Sequence, residues 1–260
     1  MRIARFSVQD QVAFGVVEGD IEGGDATVTA IAGHPFGDFE LSTARFPLAD
    51  VRLLAPVLPS KVVAIGQNYA DHVKEMGGDQ PPPHPVLFLK PSTSVIGTGD
   101  AIALPPISNE VHHEAELAVV IGRLCRDIPQ ERAHDVILGY TCANDVTARD
   151  LQRADGQWAR AKGFDTFCPI GPWVTTGIDP SDLAIQATVD GQLRQDGRTR
   201  DLIRGVAELV AFASSAMTLL PGDVLLTGTP AGVGPIHAGE QVTVSIEGLG
   251  ELTNRVVSRD

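Results

Sequence analysis

The chain alternates between short apolar runs and turns that contain glycine or proline, a pattern that predicts many β-strands. In the first fifty residues, the runs MRIARFSV, VAFGVVEG and DIEGG indicate a small meander of short strands. Later runs with strand composition are VVAIGQNY, VLFLK, ELAVVIG, VILGYTCAND, PWVTTG, LAIQATVDGQLRQ, DVLLTG and QVTVSIEGLGELTNRVV. Within them, VDGQ and EGLGE have the composition of hairpin turns.

Helical periodicity is limited to a few segments. The predicted helices are ADHVKEMG, VTARDLQRAD and RGVAELVAFASSAMTL, the last of which is stopped by Pro221 and Gly222. Since strands outnumber helices, the pattern favours a mainly β fold of rolled, mixed sheets with few helices over a doubly wound α/β fold. The proline-containing segment APVLPSK predicts a boundary between a small β-rich N-terminal domain, residues 1–58, and a larger domain, residues 59–260.

Composition excludes several classes of protein. The chain has 260 residues, 43% of them hydrophobic and 20% charged, as in an ordinary globular protein. A net charge of −13 argues against nucleic acid as a partner, and no apolar run is long enough to predict a membrane span. Three cysteines far apart in sequence, and an N-terminus without the apolar core of a signal peptide, predict a cytoplasmic protein.

The segment VHHEAELAVVIG raises a chemical question because it reads as a β-strand that carries two glutamates. Residues two apart in a strand share a face, so Glu114 and Glu116 are expected to point the same way. Their mutual repulsion would be relieved by a divalent cation, and oxygen ligands favour Mg²⁺ before Ca²⁺ or Mn²⁺. Taken alone, however, the motif fits better with a solvated edge strand whose glutamates face water. The adjacent His112 and His113 are interpreted as structural or supporting groups.

Two further segments supply polar groups. In GYTCANDVTARDLQ, Asp145 could be a third metal ligand, although a helix N-cap is the simpler interpretation of this residue alone. Arg149 and Gln152 follow at helical spacing and could bind a substrate carboxylate or form surface contacts. Lys162 lies in a predicted apolar loop, ARAKGFDTFCPIGPW, where it could be a substrate-binding cation, a lysine of lowered pKa, or a surface lysine.

Six sequence blocks occur in a characteristic order: GQNYADHVKEM, FLKPSTSVIG, HHEAELAVVIG, GYTCANDVTARDLQ, KGFDTFCPIGPW and PGDVLLTGTPAGVG. Together they resemble the fumarylacetoacetate hydrolase family from about Val62 to the C-terminus. The first sixty residues resemble the small, variable N-terminal region of the shorter, bacterial-type members. The resemblance implies a catalytic domain of rolled, mixed β-sheets around a metal ion, usually in a homodimer.

The resemblance also implies roles for individual residues. The metal ligands that it implies are Glu114, Glu116 and Asp145. The groups that it implies for binding the substrate's carboxylate and oxo oxygens are Arg149, Gln152, Lys162 and Thr229. His72 and Glu75 match a pair on a mobile lid of the shorter members, and with Lys162 they are the expected catalytic residues. Because His72 and Glu75 are three residues apart on a predicted helix, the glutamate can orient the imidazole as a base. If the other sequence blocks were absent, the preferred interpretation of His72 and Glu75 would be an incidental pair on an exposed helix.

Several functions are compatible with these residues. The resemblance implies a small-molecule 2-oxo acid as the substrate and a Mg²⁺-dependent hydrolase that cleaves a C–C bond of an acylpyruvate such as fumarylpyruvate. Alternatives in the same family are an isomerase of 2-hydroxyhepta-2,4-diene-1,7-dioate in aromatic catabolism and an oxaloacetate decarboxylase. A non-enzymatic alternative is a metal-dependent binding protein. All the enzymatic alternatives pass through an enolate, so the residues around the metal do not distinguish them.

Overall fold

Strands dominate the computed structural model, which describes residues 1–21 and 23–259. The strands of the first half are β1 (Arg2–Val8), β2 (Gln11–Glu18), β3 (Thr27–Gly33), β4 (Phe39–Pro47), β5 (Arg52–Leu54), β6 (Val62–Gly66), β7 (Val86–Lys90), β8 (Val95–Ile96), β9 (Ala101–Leu104), β10 (Val111–His113) and β11 (Ala115–Ile121). Those of the second half are β12 (Ile137–Asn144), β13 (Thr147–Ala148), β14 (Cys168–Thr175), β15 (Ala184–Val189), β16 (Gln192–Arg198), β17 (Val224–Leu226), β18 (Gly234–Pro235), β19 (Gln241–Ile246) and β20 (Gly250–Ser258).

The α-helices are few and short. They are α1 (Ala70–Glu75), α2 (Arg149–Asp155), α3 (Ala159–Gly163) and α4 (Val206–Ala216). Among the described residues, no helix has the length and hydrophobicity that crossing a lipid bilayer would require. The predicted mainly β fold with few helices is confirmed.

One large mixed sheet forms the frame of the molecule. Its strand order is β4-β3-β2-β1-β14-β12-β11-β17-β6-β7, with β5 paired to β1 and β8 paired to β14. The N-terminal strands therefore continue the sheet of the rest of the chain through the antiparallel pairing of β1 with β14. Most neighbours are antiparallel, but β17 runs parallel to β6 and β14 parallel to β8.

A second sheet packs on the first and encloses the main core. Its order is β16-β15-β19-β20-β9, and apolar side chains of β15 and β19 alternate with polar ones, as expected for strands with one buried face. Strand β11 is instead buried along its whole length because both its faces are covered. Its odd-numbered residues pack toward β15, β19 and α4, and Ala118 and Val120 pack on the opposite side against β14 and β17.

Several local predictions need correction. The predicted strand DIEGG is wrong: its described residues form a turn, closed by a 2.7 Å hydrogen bond from the Asp20 amide to the Asp25 side chain, while Glu22 lies outside the described residues. The strand follows instead at Thr27–Gly33. The segment VHHEAELAVVIG is not one strand, because β10 pairs with β13 and β18 in a small separate sheet whereas β11 belongs to the large sheet. Glu114 lies between them, where the chain passes from one sheet to the other.

Two helix predictions were wrong at their ends. The helix predicted in VTARDLQRAD begins only at Arg149, because Thr147 and Ala148 pair with β10. The helix expected to run to Pro221 ends at Ala216, before its terminating Pro-Gly pair. The boundary expected at residues 58 and 59 stays a prediction.

Candidate active site

Three carboxylates meet where β11 and β12 pair. Glu114 precedes β11, Glu116 lies within it, and Asp145 follows the last residue of β12. The Asp145 amide donates to the Glu114 carbonyl at 2.9 Å, which brings the two residues side by side. One potential ligand oxygen from each carboxylate lies within 4.8 Å of the others. All three side chains are buried, so the interpretation as a solvated edge strand is wrong.

The helix-cap interpretation of Asp145 is also wrong. The residue at the N-cap of α2 is Ala148, and no side chain caps this helix. The carboxylate of Asp145 instead accepts hydrogen bonds from Lys90 on one oxygen and from Lys162 on the other, at 2.6 Å for Lys162. Asp145, at the end of a strand and next to Glu114, is therefore part of the buried charged cluster and does not cap the helix.

Cations surround two of the three carboxylates. Arg149 and Lys162 donate to the two oxygens of Glu114, the lysine at 2.7 Å. Burial raises the pKa of Glu114, but the neighbouring Arg149 and Lys162 charges outweigh this effect and hold the pKa well below its usual range. Glu114 is consequently an ionised carboxylate inside the protein.

Glu116 differs because no cation contacts it within the described residues. Its carboxylate accepts a 2.6 Å hydrogen bond from the amide of Gly228, whose φ of 102° is accessible to glycine and rare for other residues. Burial, together with repulsion from Asp145 and Glu114, raises the pKa of Glu116 well above its ordinary value. This carboxylate therefore has the greatest need of an additional positive charge.

Lys162 is buried at 3% exposure on α3, so the interpretations as a surface lysine and as a loop residue are both wrong. Burial alone would lower the pKa of its ammonium group, but Asp145 and Glu114 outweigh burial and raise the pKa. The ammonium group also lies 5.1 Å from the ring centre of Phe88. Lys162 is thus a fixed cation and not a lysine of lowered pKa.

His72 and Glu75 form a hydrogen-bonded pair on α1. His72 Nδ1 lies 3.0 Å from Glu75 Oε2, and His72 is 5% exposed. A carboxylate can only accept, so Nδ1 carries the hydrogen and Nε2 is left as the basic atom of the neutral ring. The second oxygen of Glu75 accepts from the amide of Gly232 at 2.9 Å, which ties α1 to the loop that contains Thr229.

A cavity of about 220 Å³ brings these groups together. Seven of the nine predicted site residues line it: His72, Glu114, Glu116, Arg149, Gln152, Lys162 and Thr229. Arg149 also donates to the side-chain oxygen of Gln152 at 2.9 Å. Of the other two residues, Asp145 reaches the cluster through Lys162, and Glu75 supports His72 from behind. The geometry is consistent with the predicted site, although the roles of the residues stay predictions.

Lys90 is a member of the cluster that the sequence did not single out. Its side chain is fully buried at the end of β7, and its ammonium group contacts Asp145 and lies 3.3 Å from the Val146 carbonyl. The residue belongs to the block FLKPSTSVIG, but a lysine at the end of an apolar run carries no pattern that distinguishes it from a surface lysine. Only the tertiary structure shows that Lys90 is buried beside Asp145.

The two histidines near Glu114 form their contacts with groups other than the three clustered carboxylates. His113 Nδ1 lies 3.1 Å from the side-chain oxygen of Gln195, and burial lowers the pKa of His113 to about 4. His112 contacts Glu110 and Arg149, and burial lowers its pKa as well. These contacts agree with the interpretation of both histidines as supporting groups.

The donor set fits a hard divalent cation. It consists of carboxylate oxygens, and one of the three carboxylates contacts no cation among the described residues. Each carboxylate oxygen can accept more than one hydrogen bond, so contacts with Lys90, Lys162 and Arg149 leave lone pairs for a metal ion. The acidic cluster could therefore bind a divalent metal through Glu114, Glu116 and Asp145.

Comparisons with known proteins identify the family. The fumarylacetoacetate hydrolase C-terminal family model matches residues 61–257, and the model described as Rv2993c-like, N-terminal matches residues 1–56. The chain belongs to the fumarylacetoacetate hydrolase family. The resemblance seen in the sequence blocks is thereby confirmed.

Two curated relatives align with most of the sequence of this chain. Protein Rv2993c of Mycobacterium tuberculosis is 54% identical over 263 residues, which cover 100% of this chain and 99% of the relative. The mitochondrial oxaloacetate tautomerase FAHD1 of Arabidopsis thaliana is 47% identical over 199 residues, covering 74% of this chain and 89% of the relative.

Two solved structures share the fold over the whole chain. The 2-hydroxyhepta-2,4-diene-1,7-dioate isomerase from Mycobacterium marinum superposes with a TM-score of 0.93 at 51% identity, covering 100% of this chain and 99% of that one. Maleylpyruvate hydrolase from Sphingobium sp. SYK-6, in complex with manganese(II) and pyruvate, has a TM-score of 0.81 at 35% identity with full coverage of both chains. This family of enzymes thus includes isomerases, hydrolases and a tautomerase.

Proposed function

We propose that this protein is a divalent-metal-dependent enzyme that acts on a small 2-oxo acid through its enolate, with C–C bond hydrolysis of an acylpyruvate as the leading reaction. The observation that carries the proposal is the convergence of three buried carboxylates, two fixed cations and an imidazole–carboxylate pair around one cavity. Such a cavity combines binding of a negatively charged ligand with proton transfer, which a binding protein alone does not need.

The charges of the site favour an anionic ligand. Three buried or nearly buried cations, Lys90, Lys162 and Arg149, balance the three carboxylates in their ionised form. A divalent ion bound at Glu114, Glu116 and Asp145 would act as a Lewis acid that stabilises negative charge on an enolate oxygen. The site would then carry an excess of positive charge, which a 2-oxo acid with its carboxylate complements.

The chain's own residues have distinct tasks in this proposal. Arg149 and Gln152 bind and orient the substrate carboxylate, since both line the cavity and are hydrogen-bonded to each other. Lys162 keeps its proton and stabilises negative charge on the reacting oxygen. His72 Nε2 accepts a proton from water or the substrate, and Glu75 stabilises the imidazolium that results.

The isomerase reaction is the second candidate. It is favoured by the 51% identical structure of a 2-hydroxyhepta-2,4-diene-1,7-dioate isomerase, which matches this chain along its length. The same His72 would then move a proton between an oxygen and a carbon, with no water consumed. The tautomerase relative suggests a related proton transfer on oxaloacetate.

One panel of substrates tests the proposal. The purified protein is incubated with fumarylpyruvate, 2-hydroxyhepta-2,4-diene-1,7-dioate or oxaloacetate, with Mg²⁺, Mn²⁺, Ca²⁺ or EDTA, and the products are identified by NMR. We expect metal-dependent cleavage of the acylpyruvate and none in EDTA. Proton transfer without cleavage would favour the isomerase or tautomerase reaction, and binding of all three compounds without any turnover would contradict an enzymatic role.

A further inference from the structure

Gln195 is a fully buried polar residue next to the cavity that the proposed reaction does not use. It lies on β16, and its side-chain oxygen accepts from the Ala115 amide at 2.9 Å and lies 3.1 Å from His113 Nδ1. Its side-chain nitrogen donates to Thr229 Oγ1 and to the Pro230 carbonyl, each at 2.7 Å. Both hydrogens and both acceptor positions of the amide are therefore used.

Two of these partners fix which way the amide faces. The backbone amide of Ala115 can only donate, and the carbonyl of Pro230 can only accept, so the oxygen and nitrogen of Gln195 cannot be exchanged. The bond to Thr229 consequently has one direction, with Gln195 as the donor and the threonine hydroxyl as the acceptor.

The direction of this bond decides what Thr229 offers to a ligand. A hydroxyl has one hydrogen to donate, and within residues 1–21 and 23–259 that of Thr229 has no protein acceptor. Thr229 lines the cavity together with Arg149 and Lys162. Its hydrogen is thus free to be donated to a group inside the cavity.

We propose that Gln195 is a positioning residue that makes Thr229 a hydrogen-bond donor to the bound ligand. The pocket then provides a hydrogen-bond donor for an acceptor, a carboxylate or oxo oxygen, at the position beside Thr229. This inference rests on the proposed function, because it identifies the group of the 2-oxo acid that lies at this end of the cavity. Gln195 thus links His113 to Thr229 through a chain of hydrogen bonds, at the end of which Thr229 lines the cavity.

A purely structural role is the competing explanation, because Gln195 also ties the start of β11 to the loop at Thr229 and Pro230. The two roles differ in one measurable respect. If Gln195 acts through the hydroxyl of Thr229, its replacement has no further effect on ligand binding once that hydroxyl is gone. If it merely supports the fold, its replacement has the same effect with or without the hydroxyl.

The experiment is a double-mutant cycle with pyruvate as the probe. Wild type, T229V, Q195M and T229V/Q195M are loaded with Mg²⁺, and the Kd of pyruvate is measured by calorimetry. We expect T229V to raise the Kd about tenfold or more, since a hydrogen bond to a charged group is lost. Q195M should raise it severalfold in wild type and less than about twofold in the T229V background. T229S, which keeps the hydroxyl, should bind like wild type.

The Kd of Mg²⁺ without pyruvate provides the control. It should stay within about twofold of wild type in every variant, because neither Gln195 nor Thr229 hydrogen-bonds to a carboxylate of the cluster among the described residues. Where Q195M does not fold, the isosteric Q195E takes its place. Its carboxylate accepts the Thr229 hydroxyl hydrogen, so Q195E should weaken pyruvate binding more in the wild-type background than in T229V, where only the effect of its charge remains.

The possible failures are distinguishable. Equal effects of Q195M in both backgrounds, an unchanged Kd in T229V, or weakened Mg²⁺ binding in Q195M would each overturn the role of Gln195 while pyruvate still binds. A wild-type protein that binds no pyruvate in the presence of Mg²⁺ or Mn²⁺ would instead overturn the proposed function, and the ligand assignment with it.

Discussion

Replacing Glu116 with glutamine should make the metal-free protein more stable at neutral pH. Glu114 and Asp145 contact buried cations, whereas Glu116 accepts a hydrogen bond from the Gly228 amide and contacts no cation among the described groups. Burial and the two neighbouring carboxylates therefore raise its pKa from the ordinary 4.5. Glutamine has the shape and neutral charge of the protonated glutamic acid, but it cannot lose a proton.

The sign and size of the effect follow from proton linkage. A carboxyl whose pKa is raised in the folded state stabilises the protein fully below its unfolded pKa, and this contribution is lost as the pH rises through the folded pKa. Between the ordinary value of 4.5 and the raised value, the folded state binds one proton more than the unfolded state. The free energy of unfolding then falls by about 1.4 kcal/mol for each pH unit. The lowered pKa of Glu114 has the opposite effect, at pH values below its ordinary 4.5.

The assay is urea unfolding of chelator-treated protein from about pH 5 to about pH 8, with the free energy extrapolated to water. The difference between Glu116→Gln and wild type should grow with pH by about 1.4 kcal/mol per unit until the raised pKa is passed. Glu251→Gln, at an exposed position on β20, is the matched control and should show no such difference. A constant difference across the whole range would refute the assignment of Glu116 as the carboxyl without a cation. With metal present the order should reverse, because the variant replaces a charged carboxylate ligand with a neutral amide oxygen.

Four further outcomes are expected. Lys90→Met should lower the free energy of unfolding by roughly 3 kcal/mol in denaturant titrations, because it leaves the buried Asp145 with one cation fewer. His72→Ala should slow acylpyruvate hydrolysis by about 10²–10⁴-fold in kcat/KM but impair any decarboxylation of oxaloacetate much less, and equal losses would contradict a role in water activation. Lys162→Ala should impair both reactions, since both pass through an enolate. A homodimer is expected by light scattering at micromolar concentration, and a monomer would contradict it.

The sequence by itself determined the fold class, the family and the set of candidate groups. Apolar runs separated by glycine and proline turns are a signal of β-strands that depends only on neighbouring residues. Strands such as β6, β7 and β19 could therefore be located without a structure. The order of the six blocks was specific enough to indicate the family, which the match over residues 61–257 confirms.

Only the tertiary structure decided how the polar groups work together. Sequence spacing suggested that Glu114 and Glu116 share the face of one strand, but it did not show that the chain changes sheets at Glu114 or that Asp145 lies beside both. Burial and long-range contacts gave Lys90 and Gln195 their partners, and neither residue carries a local pattern that reveals them. A buried charge or amide is defined by what surrounds it in space, and those surroundings come from distant strands that pair only when the whole sheet has formed.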